Sequence, residues 1–338
     1  MKMTIEAKVQ ITSSEVGTLW KMYMELSEEL LVNDFLKDKT IDDEAKSIIT
    51  SYITEGENIK NEIMNLFINE GAAIPAGFTL QDTFKDAPAL FDDIFNIMFL
   101  RQMMKLNLGF DAIYTAISFK KEVQDVLKLH YDVTYKYYII TTDYLLKKGV
   151  FAKPPIVTMP KQVEFVEEKN YMSGFNPFSQ KRTLNTIEVG YIYESLEFNV
   201  FFMKLLTGFA QVAKNNTVKK YFLEGMELGK KNIDKLSDAL LQSNIQPSCT
   251  WAGMITESTM APFSDKIMMY IVSILSTTPL SYSALGTSYS FRSDLPLLLA
   301  MIAKDLFTFA KEGGKLMIEH KWMEEPPQME DRNQLIHS

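Results

Sequence analysis

The sequence predicts an all-α protein built as a tandem duplication of a four-helix bundle. Apolar residues recur at steps of three and four along most of its 338 positions. No stretch reads as a convincing strand. A series of short motifs also returns at near-constant spacing, the mark of an internal repeat. Glu15-Val16-Gly17 recurs as Glu188-Val189-Gly190, an offset of 173. The same offset puts Ile63 on Leu236, Phe67 on Leu240 and Phe78 on Trp251. Further on the offset is 172: Phe91-x-Asp93 falls on Phe263-x-Asp265, Ser118-Phe119 on Ser290-Phe291, and Pro154-Pro155 on Pro326-Pro327. The copies therefore run over 11–155 and 184–327, with a linker at 156–183 and a tail at 328–338.

In the first copy, Val16, Leu19, Trp20, Tyr23, Leu26, Ser27 and Leu30 share one helical face. Glu25, Glu28 and Glu29 are expected on the opposite, solvated side. A second helix starts near Asp42 and carries Ile48, Ile49, Tyr52, Ile59, Ile63, Leu66 and Phe67, with Gly71 and Pro75 marking its stop. Gly56 lies within that stripe, where a missing side chain admits a close neighbouring helix; Gly225 and Gly229 have the same part in the second copy. Asp86-Ala87-Pro88 reads as the start of a third helix, which continues to about Leu106 before Gly109 breaks it. A fourth carries Phe119, Val123, Val126, His130, Val133, Tyr137, Ile140 and Tyr144, ending at Gly149. Between the copies, Val163 and Phe165 alternate with polar neighbours and predict a short extended segment lying against one bundle. The polar tail is expected to fray.

Composition bounds the function. A formal net charge of −8 argues against a nucleic-acid binder. The single cysteine, Cys249, excludes an intramolecular disulfide framework and a Cys-based metal cage. The N-terminal residues lack the apolar core of a secretory signal, which points to the cytoplasm. Ile267 to Phe291 runs 25 residues without a charge, enough to span a bilayer. Its hydroxyl content and Pro279 instead favour a buried helix–turn–helix, without membrane insertion.

A four-helix bundle invites comparison with di-metal carboxylate centres, which need a Glu from each of two helices and an inward Glu-x-x-His on the other two. The chain has three histidines; Leu127 precedes His130 by three residues and Met317 precedes His320, so neither completes the motif. No metal or other cofactor is expected. His130 lies on the apolar stripe with Thr134 and Thr141 on its side, and could line a small polar cavity. A core histidine bonded to a carbonyl or a Tyr hydroxyl is the simpler reading. Its counterpart is Ile302, so any role belongs to one copy. Glu55, at the edge of the second stripe, is the carboxylate best placed to turn inward, and its counterpart is Leu228. Asp93, Asp265, Glu15 and Glu188 are explained by favourable placement near helix N-termini. Cys249 has no His at motif spacing, and neither a phosphate-binding glycine loop nor a Gly-x-Ser-x-Gly elbow occurs. Many of the 20 methionines sit on helical stripes, where they serve as packing or as an adaptable binding surface.

Val163-Glu164-Phe165-Val166, Ala261-Pro262-Phe263-Ser264-Asp265-Lys266 and Met323-Glu324-Glu325-Pro326-Pro327 make the chain similar to a bacterial family of two ferritin-like four-helix bundles. That family is found mainly in spore-forming Gram-positive bacteria and is catalogued as a domain of unknown function. The resemblance spans about Ile11 to Pro327 and implies fold and origin but no reaction. It also implies a His on the second helix of each bundle in relatives, where this chain has Ile59 and Asn232. Together these readings favour a non-enzymatic structural protein tied to stress or sporulation, acting through a protein partner or a homo-oligomer. The alternatives are a metal-binding oxidase or storage protein with a degenerate site, and a binder of a small apolar ligand in a bundle core.

Overall fold

The computed structural model describes residues 9–174, 181–247 and 253–337. Among these the chain is all-α, and the only β pairing is an isolated bridge between Phe91 and Ile255. It divides into two compact units. Unit 1 is Met1–Ala89, Asp93–Leu145 and Lys321–Ser338; unit 2 is Leu90–Asp92 and Leu146–His320.

Unit 1 carries α1 (Ser13–Lys39), α2 (Asp43–Asn69), α3 (Asp93–Ala116) and most of α4 (Lys121–Lys147). Unit 2 carries α5 (Thr186–Val212), α6 (Asn216–Leu241), α7 (Asp265–Leu275), α8 (Thr277–Tyr289) and α9 (Asp294–Glu319). A short α10 (Arg332–His337) ends the described chain. The starts of α5 and α6 lie 173 residues after those of α1 and α2, and α7 starts 172 after α3.

Equivalent residues start equivalent helices. Thr12 and Glu15 form a reciprocal capping box on α1, as Asn185 and Glu188 do on α5. Asp42 caps α2 through Ala45 N–H, and Asn215 caps α6 through Thr217 and Val218 N–H. Each cap satisfies donors that a helix start leaves orphaned. The close approach of the first two helices is repeated as well. A Cβ on Gly56 would lie 2.7 Å from Leu30 Cδ2, and one on Gly229 would lie 3.2 Å from Met203 Cβ. Gly56 is equivalent to Gly229, and Leu30 to Met203, so both copies cross these helices at the same place.

Several expectations are corrected. Helix α3 starts at Asp93 rather than Asp86, because Leu90–Asp92 pairs with unit 2: Leu90 C=O accepts from Thr256 N–H at 2.9 Å, and Asp92 N–H donates to Met254 C=O at 3.1 Å. It runs through Gly109 unbroken, a substitution that helices tolerate at a cost of about 1 kcal/mol relative to Ala. Phe119 precedes α4 and is exposed rather than part of its stripe. Val163, Phe165 and Val166 are exposed in an irregular segment and do not lie against a core. Glu25, Glu28 and Glu29 are buried, not solvated, because α1 is enclosed nearly all round. Cys249, Trp251 and Pro177 lie outside the described residues.

Asp265–Tyr289 is long and apolar enough to cross a membrane, but 61% of its most apolar window is buried within the fold. Its helix breaks at Ser276, three residues before Pro279, which occupies the first turn of α8 where its missing N–H is tolerated.

Candidate functional site: the polar core of unit 1

The middle of unit 1 is filled by ionisable and hydrogen-bonding side chains. From α1 come Lys21, Glu25, Glu28 and Glu29; from α2 Tyr52; from α3 Asn107, Asp111 and Tyr114; from α4 His130. The Tyr52 hydroxyl donates to Glu29 Oε2, and Asn107 Nδ2 donates to Glu29 Oε1 at 2.9 Å. One helical turn away, His130 Nδ1 bonds Asp111 Oδ1 at 2.7 Å. Lys21 Nζ pairs with Glu25 Oε1 at 2.8 Å, donates to the Tyr114 hydroxyl at 2.7 Å, and lies 3.6 Å from the centre of the Phe110 ring. Glu28 is fully buried, and neither of its carboxyl oxygens has a hydrogen-bond partner among the described residues. Asp111 Oδ2 is also without one.

Burial removes water from these groups and disfavours their charged forms. It pushes Glu28 well above the ordinary carboxylate range, an effect reinforced by the neighbouring Glu29 and Glu25. Burial likewise raises Glu29 to about 7 despite the bonds from Tyr52 and Asn107 that favour its anion. Glu25 is raised by burial, with Lys21 opposing the shift. At His130 burial opposes the imidazolium, but the Asp111 bond and the charges of Asp111, Glu29 and Glu25 outweigh it and leave the group raised.

The residues singled out in the sequence are placed as follows. His130, Thr134 and Thr141 are buried. His130 bonds the Asp111 carboxylate rather than a carbonyl or Tyr hydroxyl, while the Thr141 hydroxyl donates to the Tyr137 carbonyl at 2.6 Å, within its own helix. Glu55 does not join the cluster. It stays at the rim, 34% exposed, accepting from Lys136 Nζ at 2.6 Å and from the Tyr137 hydroxyl at 2.7 Å. Glu29, Asp111 and Tyr52 escaped sequence reasoning. The repeat held the signal: Glu25, Glu28 and Glu29 fall on Phe198, Phe201 and Phe202, which are buried positions in unit 2.

The substitution extends through the cluster. Tyr52 becomes Gly225, Asn107 Pro279, Asp111 Ser283, Tyr114 Gly286, His130 Ile302 and Tyr137 Phe309. In unit 2 the space holds aromatic packing, with Phe198 and Phe202 at 5.6 Å and Tyr221 stacked on Phe309 at 4.2 Å between ring centres. Gly225 makes room for that ring, since a Cβ there would lie 2.5 Å from Phe309 Cζ.

Two other carboxylate pairs are shared by both units. Glu15 Oε1 accepts from Phe119 N–H at 2.7 Å and Lys120 N–H at 2.6 Å; Glu188 Oε1 accepts from Phe291 and Arg292 N–H, both at 3.0 Å. Asp93 accepts from Ile41 and Asp42 N–H, and Asp265 from Lys214 and Asn215 N–H. Burial opposes the anions of Glu15 and Glu188, yet their bonds hold both below the ordinary range. These four side chains join helix ends that are distant in sequence, beyond the local helix-end effect expected of them.

A di-metal carboxylate centre does not fit this donor set. Both oxygens of Glu29 are already engaged by hydroxyl and amide donors, α2 presents Tyr52 at that level, and α4 presents His130 with Leu127 before it. No group of three or more His, Cys, Asp or Glu suited to a metal ion occurs among the described residues.

The fold and its carboxylate clasps define an all-α protein with a two-part repeat. The chain belongs to the family described as protein of unknown function DUF3231, whose profile matches residues 1–163 and again 172–335. No curated protein matches it. Among solved structures, a protein provisionally assigned as a spore coat protein of Bacillus halodurans C-125 is similar at 16% identity, with a TM-score of 0.42, over 44% of this chain and 98% of its own.

Proposed function

We propose that this is a non-enzymatic, architectural protein made of two ferritin-like four-helix bundles, with a role in sporulation or stress in a bacterial cell. One observation carries the reading: the carboxylates that both units keep hold backbone N–H groups, whereas the buried ionisable cluster differs between the units. Glu15 and Glu188 perform the same clasp 173 residues apart, as do Asp93 and Asp265 at an offset of 172. What the repeats have in common is a means of holding helices together. Repeated chemistry would require repeated reactive groups, and His130 and Asp111 face Ile302 and Ser283 in the alignment of the copies.

The reading is tested by fractionating sporulating cells of the source organism and following the protein by quantitative mass spectrometry. Enrichment in the spore fraction, with no turnover by the purified chain, supports it. A metal-dependent oxygen consumption by the pure chain, abolished by His130→Leu, contradicts it.

A further inference from the structure

The polar core of unit 1 contains more acceptors than donors. Glu28 brings two unpartnered oxygens and Asp111 one, all buried, and Glu29, Asn107 and Tyr52 form a closed bonded set beside them. A buried carboxylate without donors is too costly to keep charged, so a proton is the occupant the site itself demands. We propose that the middle of unit 1 is a proton-binding site, centred on Glu28, Glu29 and His130, that tightens unit 1 on mild acidification while unit 2 does not respond.

The charged and titratable groups around it come from every helix of the unit. Helix α1 supplies Lys21, Glu25, Glu28 and Glu29; α2 supplies Tyr52; α3 supplies Asp111 and Tyr114; α4 supplies His130 and Tyr137, the last tied to Glu55 and Lys136 at the rim. The loop that follows α2 brings Asp82, whose carboxylate accepts from Thr79 N–H at 3.2 Å within its own turn. Glu324 of the tail is occupied by Ala76 and Gly77 N–H.

The sign follows from proton counting. Glu28 and Glu29 titrate above their ordinary value of 4.5 in the folded chain, and His130 above its ordinary 6.5. Folded unit 1 therefore binds more protons than the unfolded chain between about pH 4.5 and 7, and each extra proton shifts the unfolding equilibrium about tenfold per pH unit. Stability is gained as pH falls through this window and lost as it rises. Glu15, Asp34 and Glu55 are held below their ordinary values and oppose this only at lower pH. In unit 2 the positions of Glu25, Glu28, Glu29, Tyr52, Asp111, His130 and Tyr137 hold Phe198, Phe201, Phe202, Gly225, Ser283, Ile302 and Phe309, none of which takes up a proton in this range.

Hydrogen exchange with mass spectrometry on the full chain reads the two units separately. After correction for intrinsic exchange, protection of α1 peptides is expected to rise about tenfold or more from pH 8 to pH 6, against little change in α5 peptides. The double variant Glu28→Gln, Glu29→Gln is expected to flatten the α1 response. Infrared spectroscopy on the unaltered chain gives an independent reading, through the carbonyl stretch of a protonated carboxylic acid at pH 7. Equal pH responses in α1 and α5, an unchanged slope in a folded double variant, or no acid carbonyl band at pH 7 would overturn the proposal.

Discussion

Glu29 and Phe202 occupy the same position of the repeat, one bonded to Tyr52 and Asn107, the other packed against Phe198 and Phe309. One ancestral position thus supports opposite solutions to filling the space between helices. The polar solution needs donors for every acceptor, and unit 1 leaves Glu28 without any. The apolar solution needs only complementary shapes, which Gly225 and Phe309 supply together.

Replacing Glu28 with an apolar side chain is expected to stabilise the protein. Glu28→Leu removes a buried acid with no partner, and the gain at pH 8 should be about 1–4 kcal/mol. Urea unfolding followed by circular dichroism measures it. A loss of similar size would reveal bonds to this carboxyl that the structure does not contain.

The carboxylate clasp should be more costly to lose in unit 2 than in unit 1, because Glu188 also accepts from the Arg182 guanidinium through both of its oxygens. Glu15→Ala and Glu188→Ala each free three backbone donors, two at a helix junction and one at the helix cap, and each variant should lose at least about 1–3 kcal/mol. Glu55→Ala, at the rim, should cost under about 1 kcal/mol. Denaturant midpoints of the three variants compare them directly.

Acid should weaken both clasps together. Glu15 and Glu188 have folded values below the ordinary 4.5, so their contribution is present above that pH and lost as pH falls through the folded values. A thermal-melt series from pH 5 to pH 2.5 should fall more steeply for the parent chain than for Glu15→Gln combined with Glu188→Gln. Parallel curves would assign the acid loss to other carboxylates.

Gly225→Ala tests the apolar solution. Its new methyl meets the Phe309 ring, and overpacking of this kind costs about 1–3 kcal/mol. Adding Phe309→Leu should recover part of the loss, a coupling that a double-mutant cycle quantifies.

The duplication and helix order were legible because steps of three and four survive in both copies and because Gly56 and Gly229 mark one helix crossing. The polar core was harder to see. Read alone, Glu25, Glu28 and Glu29 look like a solvated face, since charged residues are seldom buried without partners. Aligning them on Phe198, Phe201 and Phe202 turns that face inward. Asp111 gave no signal, as its pairing with His130 depends on how α3 and α4 align along their lengths. The start of α3 was misplaced because the bonds that hold Leu90–Asp92 join segments more than 160 residues apart.

The most direct test of the account is the metal content of the untagged full chain after anaerobic loading with Fe(II), Mn(II) or Zn(II) and desalting. The account predicts that no stoichiometric metal is retained, because Tyr52 and Asn107 engage both oxygens of Glu29, His130 is turned onto Asp111, and burial favours the neutral acid of Glu28 over an anion that could ligate. One or more tightly held equivalents, lost in Glu29→Gln and in His130→Leu, would contradict it.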